Sequence, residues 1–171
     1  MAVQILHRVQ LIPAPLEKVW SFFADPANLP RITPPNMQFV VLSPSQKDRI
    51  YAGELIEYRL RPLPWFRTRW LTEITQVEEG HYFVDEQRRG PYSLWHHQHH
   101  FRKIEGGVEM TDLVHYMVPF GPLGDLANAF FVRRRLEDVF LYRRQVVESI
   151  FGLFPEHTGP LTMRAATTPR H

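Results

Sequence analysis

The most constraining feature of the sequence is a long amphipathic segment near its C-terminal end, at residues 123–151. Apolar side chains recur there with a period near 3.6, and Gly124 is the only glycine or proline in the segment. This pattern predicts one helix of about 40 Å, which ends at Gly152. Because a helix of this length cannot be buried in a small core of its own, it must lie across a broad sheet.

Most of the chain before this helix has the pattern of strands. Two short helices, at 16–24 and 27–32, follow the first strand. The strand-like segments are at 3–12, 37–42, 51–61, 68–78, 81–89, 93–104 and 108–118. Strands in succession followed by a helix indicate an α+β fold with an antiparallel sheet. We therefore expect a curved antiparallel sheet of about six to seven strands around the long C-terminal helix, with a pocket between the two layers.

The composition is that of one globular domain with a tail. The chain has 171 residues, of which 44% are hydrophobic and 22% are charged. Residues 154–171 are rich in proline and threonine and lack an apolar period, so we predict a disordered tail after a domain at 1–153. The absence of cysteine excludes disulfides, thiolate catalysis and Cys-ligated metal sites.

Charge and hydropathy also limit the partners that the chain can have. Twenty basic side chains stand against eighteen acidic ones, and no basic stripe is interleaved with aromatic residues, so we expect no nucleic-acid partner. No window approaches the roughly 18 apolar residues of a membrane span. Residues 1–11 lack the apolar core of a secretory signal. We therefore expect a cytoplasmic protein without stable membrane insertion.

A histidine-rich strand is the most unusual feature of the chain. The stretch WHHQHHF at 95–101 holds four of the nine histidines. Because side chains alternate along a strand, His97 and His99 share one face, and the other two histidines point the opposite way. Only His97 and His99 can therefore belong to one site.

The turn of the following hairpin determines which residues lie opposite these two histidines on the next strand. A two-residue turn at Gly106 and Gly107 predicts that His99 lies opposite Val114 and that Asp112 is diagonal to His99. The combined face of the two strands is mostly apolar and aromatic, so we expect it to face the interior.

Three ionisable side chains on this inner face, His97, His99 and Asp112, need a reason to be there, because buried charge is costly unless it is paired. A satisfied hydrogen-bond cluster with a structural role is one interpretation. The same groups can instead hold the polar end of a hydrophobic ligand, or act as catalytic acid and base. A metal held by these three groups is the least favoured interpretation, and we predict no metal and no cofactor.

Other side chains of the sheet and the helix should complete the pocket. The predicted ligand-binding residues are Tyr58, Trp70, Gln87, Trp95, His97, His99, Asp112, Tyr116 and Phe130. Arg143 is in phase with the apolar face of the long helix and can pair with a carboxylate or with the ligand. Trp65 and Phe66 fall in a predicted loop between strands, where they can form an entrance or a partner surface.

Several motifs, taken in their order and spacing, resemble the START-like, helix-grip superfamily, often abbreviated SRPBCC. This group includes Bet v 1-like proteins, polyketide cyclases and coenzyme Q-binding proteins, and the chain is similar to a bacterial branch of small ligand-binding domains. The matching stretches are VWSFFADPANL at 19–29, TPP at 33–35, GPYSLWHHQHHF at 90–101, DLVHY at 112–116, PFG at 119–121 and residues 136–144. The resemblance covers about residues 1–153 and implies a helix-grip fold with a hydrophobic cavity. It implies no particular reaction, because the superfamily contains carriers, sensors and enzymes.

Three functions remain open at this point. We favour a carrier or sensor that binds a hydrophobic small molecule, such as a lipid, isoprenoid, quinone or aromatic polyketide. The alternative is an enzyme of the cyclase, dehydratase or hydrolase type, with a His–Asp pair as acid and base in the same cavity. The third is an interaction protein, which would use the loop at Trp65 and Phe66 or an open sheet edge.

Overall fold

A computed structural model describes residues 2–43, 49–63, 65–154 and 159–166. The strands are β1 (Gln4–Ile12), β2 (Val40–Val41), β3 (Glu54–Leu63), β4 (Phe66–Glu78), β5 (Tyr82–Arg89), β6 (Leu94–Ile104), β7 (Gly107–Met117) and β8 (Thr162–Ala165). The helices are α1 (Leu16–Phe23), 3-10 turns at Pro26–Ile32 and Pro35–Met37, α2 (Gly121–Ala127), a π turn at Asn128–Val132 and α3 (Arg133–Phe151).

The eight strands form one antiparallel sheet in the order β2-β3-β4-β5-β6-β7-β1-β8. The sheet is curved and unclosed, and the long C-terminal helix accompanies it. This confirms the predicted α+β, helix-grip architecture. Among the described residues, no helix has the length and apolar character needed to cross a membrane.

Two buried clusters join the helices to the sheet. Leu136 and Phe140 of α3 pack with Leu6 of β1 and Val114 of β7. In the other cluster, Trp20 of α1 packs edge-to-face on aromatic side chains of β5 and β6, with ring centroids 5.9 and 5.3 Å apart. Edge-to-face contacts of this kind add to the free energy gained from burial. The helices are therefore fixed over the inner face of the sheet.

The region after α1 differs from the predicted one. The second short helix is a 3-10 turn at Pro26–Ile32, because Pro30 inside it cannot donate to an α-helical hydrogen bond. The predicted strand at 37–42 is reduced to Val40–Val41, since Pro35–Met37 forms another 3-10 turn. Gln38 follows that turn with a left-handed φ of 45°, which breaks the extended conformation.

The long helix is continuous from 121 to 151 but contains one π turn, at Asn128–Val132. A π turn inserts an extra residue and shifts the phase of the side chains before it. Leu136 and Phe140 after the turn are buried, whereas Leu126 and Phe130 are 56% and 66% exposed. The uniform 3.6 period predicted over the whole segment is therefore wrong in its first part.

The register of the β6–β7 hairpin also differs from the predicted one, by two residues. Ile104 pairs with Gly107, so that Glu105 and Gly106 form the turn. Gly106 adopts the positive φ of 78° that the turn requires. Because the slip is even, the inner and outer faces stay as predicted, but His99 now lies directly opposite Asp112.

Part of the segment predicted to be a disordered tail forms a strand. Strand β8, at Thr162–Ala165, pairs antiparallel with β1, and Met163 packs against the cluster that contains Leu6. The free edge of β1 explains this, because its backbone groups are otherwise unpaired. The predicted tail at 155–158 and 167–171 lies outside the described residues.

Candidate functional site

A cavity of about 180 Å³ lies between helix α3, the segment after α1 and the inner face of the sheet. Its apolar and aromatic lining includes Phe22, Phe39, Ile56, Tyr58, Leu60, Trp70, Ile74, Phe83, Tyr92, Trp95, Leu136, Val139 and Phe140. Alternation along β3 to β6 directs the strand side chains of this lining inward, and α1, α3 and the connecting segments supply the others. The carboxylate and imidazole side chains that the sheet contributes to this wall are Asp85, His97 and His99.

Two histidines of β6 lie between two carboxylates. His97 Nε2 is 3.0 Å from Asp112 Oδ1, and His99 Nε2 is 3.0 Å from Asp85 Oδ2. The second nitrogen of each ring faces the other carboxylate: His97 Nδ1 is 3.4 Å from Asp85 Oδ2, and His99 Nδ1 is 3.0 Å from Asp112 Oδ1. This last contact is not aligned as a hydrogen bond. The four side chains form a closed ring of contacts.

Neighbouring elements fix the orientation of this cluster. The His99 ring stacks on Phe83 with centroids 4.1 Å apart, and the two imidazole centroids are 3.7 Å apart. Trp95 Nε1 donates to Asp85 Oδ1 at 3.3 Å. Strand pairing sets these contacts, because Asp85 lies opposite His97 in the β5–β6 register. The rings therefore have little freedom to rotate.

The pKa values of the four side chains in the cluster shift in different directions. Burial opposes charge on Asp112, but its contacts with His97 and His99 outweigh burial and hold its pKa well below the usual value. Burial likewise opposes charge on Asp85, but its contacts with His97 and His99 outweigh burial and lower its pKa. Burial and then the neighbouring His99 lower the pKa of His97, whereas the two carboxylates outweigh burial and raise the pKa of His99. Both carboxylates are therefore ionised near neutral pH and next to one neutral imidazole.

Arginines lie behind and beside the cluster. Arg143 Nη1 is 3.9 Å from Asp112 Oδ1, and Arg143 lines the cavity. Arg8 is 4% exposed and donates to the Phe140 carbonyl, which joins β1 to α3. Burial is the main reason that the pKa of Arg8 falls to about 10. These cations offset the charge of the buried carboxylates.

Five of the predicted ligand-binding residues line the cavity: Tyr58, Trp70, Trp95, His97 and His99. Asp112 lies behind the histidines. It contacts them but does not itself line the cavity. The three candidate catalytic residues, His97, His99 and Asp112, are thus brought together, as the alternation on β6 and β7 predicted. Whether any of them contacts a ligand stays a prediction.

The other predicted ligand-binding residues lie away from the described lining. Gln87 donates to the Tyr92 carbonyl at 2.6 Å and braces the loop after β5. The buried Tyr116 hydroxyl donates to Asn128 Oδ1 at 3.1 Å, and this burial raises its pKa to about 12. Phe130 is exposed because the π turn rotates it outward.

The sequence prediction did not include Asp85 in the site. Alternation along β5 places Asp85 on the same face as Phe83, and the structure shows that both line the cavity. Its partners could not be read from that pattern, because they depend on the β5–β6 register. The sequence predicts that Arg143 pairs with a carboxylate or with the ligand, and its Nη1 lies 3.9 Å from Asp112 Oδ1.

One family model matches the chain, over residues 12–140, and its description is polyketide cyclase / dehydrase and lipid transport. A search of curated proteins found no match. Polyketides and lipids are hydrophobic molecules, so the description supports the binding of hydrophobic ligands in general.

Several solved structures have the same fold as this chain at low sequence identity. Protein Ms6760 from Mycobacterium smegmatis is 17% identical, with a TM-score of 0.61 over 85% of this chain and 92% of that one. Protein CV1439 from Chromobacterium violaceum is 10% identical, with a TM-score of 0.66 over 87% and 98%. Ginseng major latex-like protein 151 from Panax ginseng is 14% identical, with a TM-score of 0.64 over 88% and 99%. With the family match and the curved sheet around a long helix, the chain belongs to the polyketide cyclase / dehydrase and lipid transport family, within the START-like, helix-grip superfamily.

Proposed function

We propose that the chain is a carrier or sensor that binds a hydrophobic small molecule between helix α3 and the inner face of the sheet. The observation that carries this proposal is an apolar cavity of about 180 Å³ with one polar cluster on its wall. Ligand sites of small molecules have this character, with a hydrophobic lining and few polar groups that fix orientation.

The size of the cavity limits the ligand. A cavity of about 150 Å³ can hold one benzene ring, so the present volume suits a single ring or a short branched chain. A lipid, an isoprenoid or a larger quinone would need the side chains on the wall to move apart. We therefore favour a ligand whose buried part is about the size of one ring.

Two donors on the wall indicate what the polar end of this ligand is. Trp70 Nε1 and Arg143 Nε are buried and have no hydrogen-bond partner within the described part of the chain. A buried donor without an acceptor costs about 1–3 kcal/mol, which a ligand oxygen would recover. A hydrophobic molecule with a carbonyl, carboxylate or hydroxyl oxygen fits this arrangement, as a quinone or an aromatic polyketide does.

Native mass spectrometry of the full chain, purified from its natural host without organic solvent, tests the proposal. We expect an added mass in the folded protein that is lost on denaturation and belongs to an apolar, oxygen-bearing molecule. A matched variant, Ile74→Phe, places a larger side chain on the cavity wall and should lack this mass. An identical bound mass in the variant would contradict binding in the cavity.

A second candidate is acid–base catalysis of the cyclase, dehydratase or hydrolase type. The observation that favours it is that His97 and His99, each next to carboxylates, both line the cavity. Substitution of either histidine by glutamine should then abolish turnover of the bound molecule while its affinity changes little. Turnover that survives both substitutions would exclude this function.

A further inference from the structure

We propose that Asp85, His97 and His99 form a binding site for one first-row divalent transition-metal ion, such as Zn²⁺, Fe²⁺ or Co²⁺. One ligand atom of each of the three side chains lies within 4.8 Å of the other two. Two imidazole nitrogens and one carboxylate oxygen are a ligand set that these ions accept. The ion binds without the hydrophobic ligand, so this site does not depend on the function proposed above.

The distances from the carboxylate oxygen to the two histidine nitrogens fit a coordination shell. Asp85 Oδ2 is 3.4 Å from His97 Nδ1 and 3.0 Å from His99 Nε2. Two atoms that each lie about 2.1 Å from an ion, at angles of about 90° to 110°, are about 3.0–3.4 Å apart. Both histidine nitrogens therefore lie at a coordination distance from the carboxylate oxygen, and all three ligand atoms lie within 4.8 Å of one another.

The far edges of both rings face a second carboxylate, which would orient the ligands. His97 Nε2 and His99 Nδ1 each lie 3.0 Å from Asp112 Oδ1, and the contact of His97 is aligned as a hydrogen bond. Histidine ligands of metals commonly donate their other N–H to a carboxylate, which fixes the tautomer and the ring orientation. On the remaining ligand, Trp95 Nε1 donates to the other oxygen of Asp85 at 3.3 Å.

The third ligand in the structure differs from the one that the sequence suggested. The sequence suggested Asp112 as the third ligand, but Asp112 lies on the far side of the rings and does not line the cavity. Asp85 takes that place on the cavity side. Three ligands on one side leave coordination positions open towards the cavity, as in metal sites that bind water or a substrate.

A Co²⁺ titration of the full chain, first freed of metal by a chelator, tests the site. We expect one Co²⁺ per chain with the visible absorption of a nitrogen- and oxygen-ligated ion, and displacement by an equivalent of Zn²⁺. Asp85→Asn should weaken Co²⁺ binding by more than about tenfold, and Asp112→Asn by about 10- to 100-fold through lost orientation of the rings.

The outer face of the same strand supplies a matched control. His96 Nδ1 lies 2.8 Å from Glu86 Oε1, a partly exposed His–Glu pair on the face of β6 opposite to the three proposed ligands. His96→Gln should leave the affinity for Co²⁺ unchanged. Loss of binding in His96→Gln, or equal binding in wild type and Asp85→Asn, would overturn the proposal.

A measurement on the wild-type chain avoids any effect of substitution on folding. In nitrogen-15 NMR spectra of the histidine rings, one equivalent of Zn²⁺ should shift the ring signals of His97 and His99. The signals of His96 and His100 should stay in place. No shift at His97 and His99, or shifts confined to the other two rings, would show that the cluster is only a hydrogen-bonded one.

Discussion

His97 donates a hydrogen bond from Nε2 to Asp112 Oδ1 at 3.0 Å, across the neighbouring strands β6 and β7. The side chains are 4% and 6% exposed. Because the pKa of Asp112 lies well below its usual value, Asp112 is an ionised acceptor and the proton belongs to His97. This bond holds the imidazole with its other nitrogen towards Asp85 and the cavity.

Asp112→Asn should destabilise the fold by about 3 kcal/mol, measured by urea denaturation. The amide keeps the shape of the side chain but removes a buried charge that meets both histidines and Arg143. The matched control is Glu109→Gln on the same strand, where the carboxylate pairs with an exposed Arg102. That change should cost less than about 1 kcal/mol. Equal losses in the two variants would contradict a special role for the buried cluster.

Ile74→Phe should reduce the affinity for an apolar fluorescent probe by about tenfold or more. Ile74 is 3% exposed and lies on the cavity wall, so a larger side chain takes space from the probe. Overpacking should cost at most about 1–3 kcal/mol of stability. Ile74→Leu, which conserves volume, should bind the probe like the wild type. Undiminished binding in the phenylalanine variant would mean that the probe binds elsewhere.

Trp70→Phe should weaken the binding of a ligand that carries an oxygen substituent on its ring. The binding of the same ligand without that oxygen should be weakened less. The indole Nε1 is a buried donor without a described partner, and phenylalanine removes it while keeping an aromatic side chain. We expect a difference of about fivefold to tenfold between the two ligands, measured by calorimetry. Equal losses for both ligands would show that Trp70 contributes only packing.

The alternation of side chains predicted much of the candidate site. It placed His97 and His99 on the inner face and identified Asp112 as their neighbour. It could not identify Asp85 as a partner, because that contact depends on pairing between β5 and β6. Strand β5 also meets β4 through two register shifts, which a pattern within one strand does not show.

Backbone geometry explains the remaining differences from the sequence prediction. The π turn at Asn128–Val132 moves Phe130 out of phase, although its spacing from Leu136 and Phe140 allowed a buried position. The sequence predicted a turn at Gly106-Gly107, whereas the structure forms it with Glu105 and Gly106. In each case a shift of one or two residues in the backbone changes which side chains face each other or face the interior. The spacing of residues in the sequence does not reveal such a shift.

Removal of residues 155–171 should speed hydrogen exchange at the β1 backbone. Strand β8 pairs with Gln4, Ile5, Leu6 and His7 of β1, so its loss returns that strand to a sheet edge. The amides of β6, in the middle of the sheet, should keep their protection, and the cavity should bind the same probe. Unchanged exchange throughout β1 would show that β8 does not protect it.

Intermolecular NOEs between a monocyclic apolar phenol and the protein methyl groups test the central claim most directly. We predict NOEs from the probe ring to Ile56 and Ile74, which line the cavity. Leu123 and Leu126, which are 74% and 56% exposed, report binding at the surface instead. NOEs to the two isoleucines and not to the two leucines would place the probe in the interior. No NOEs, or NOEs confined to the leucines, would contradict a hydrophobic ligand site between the helix and the sheet.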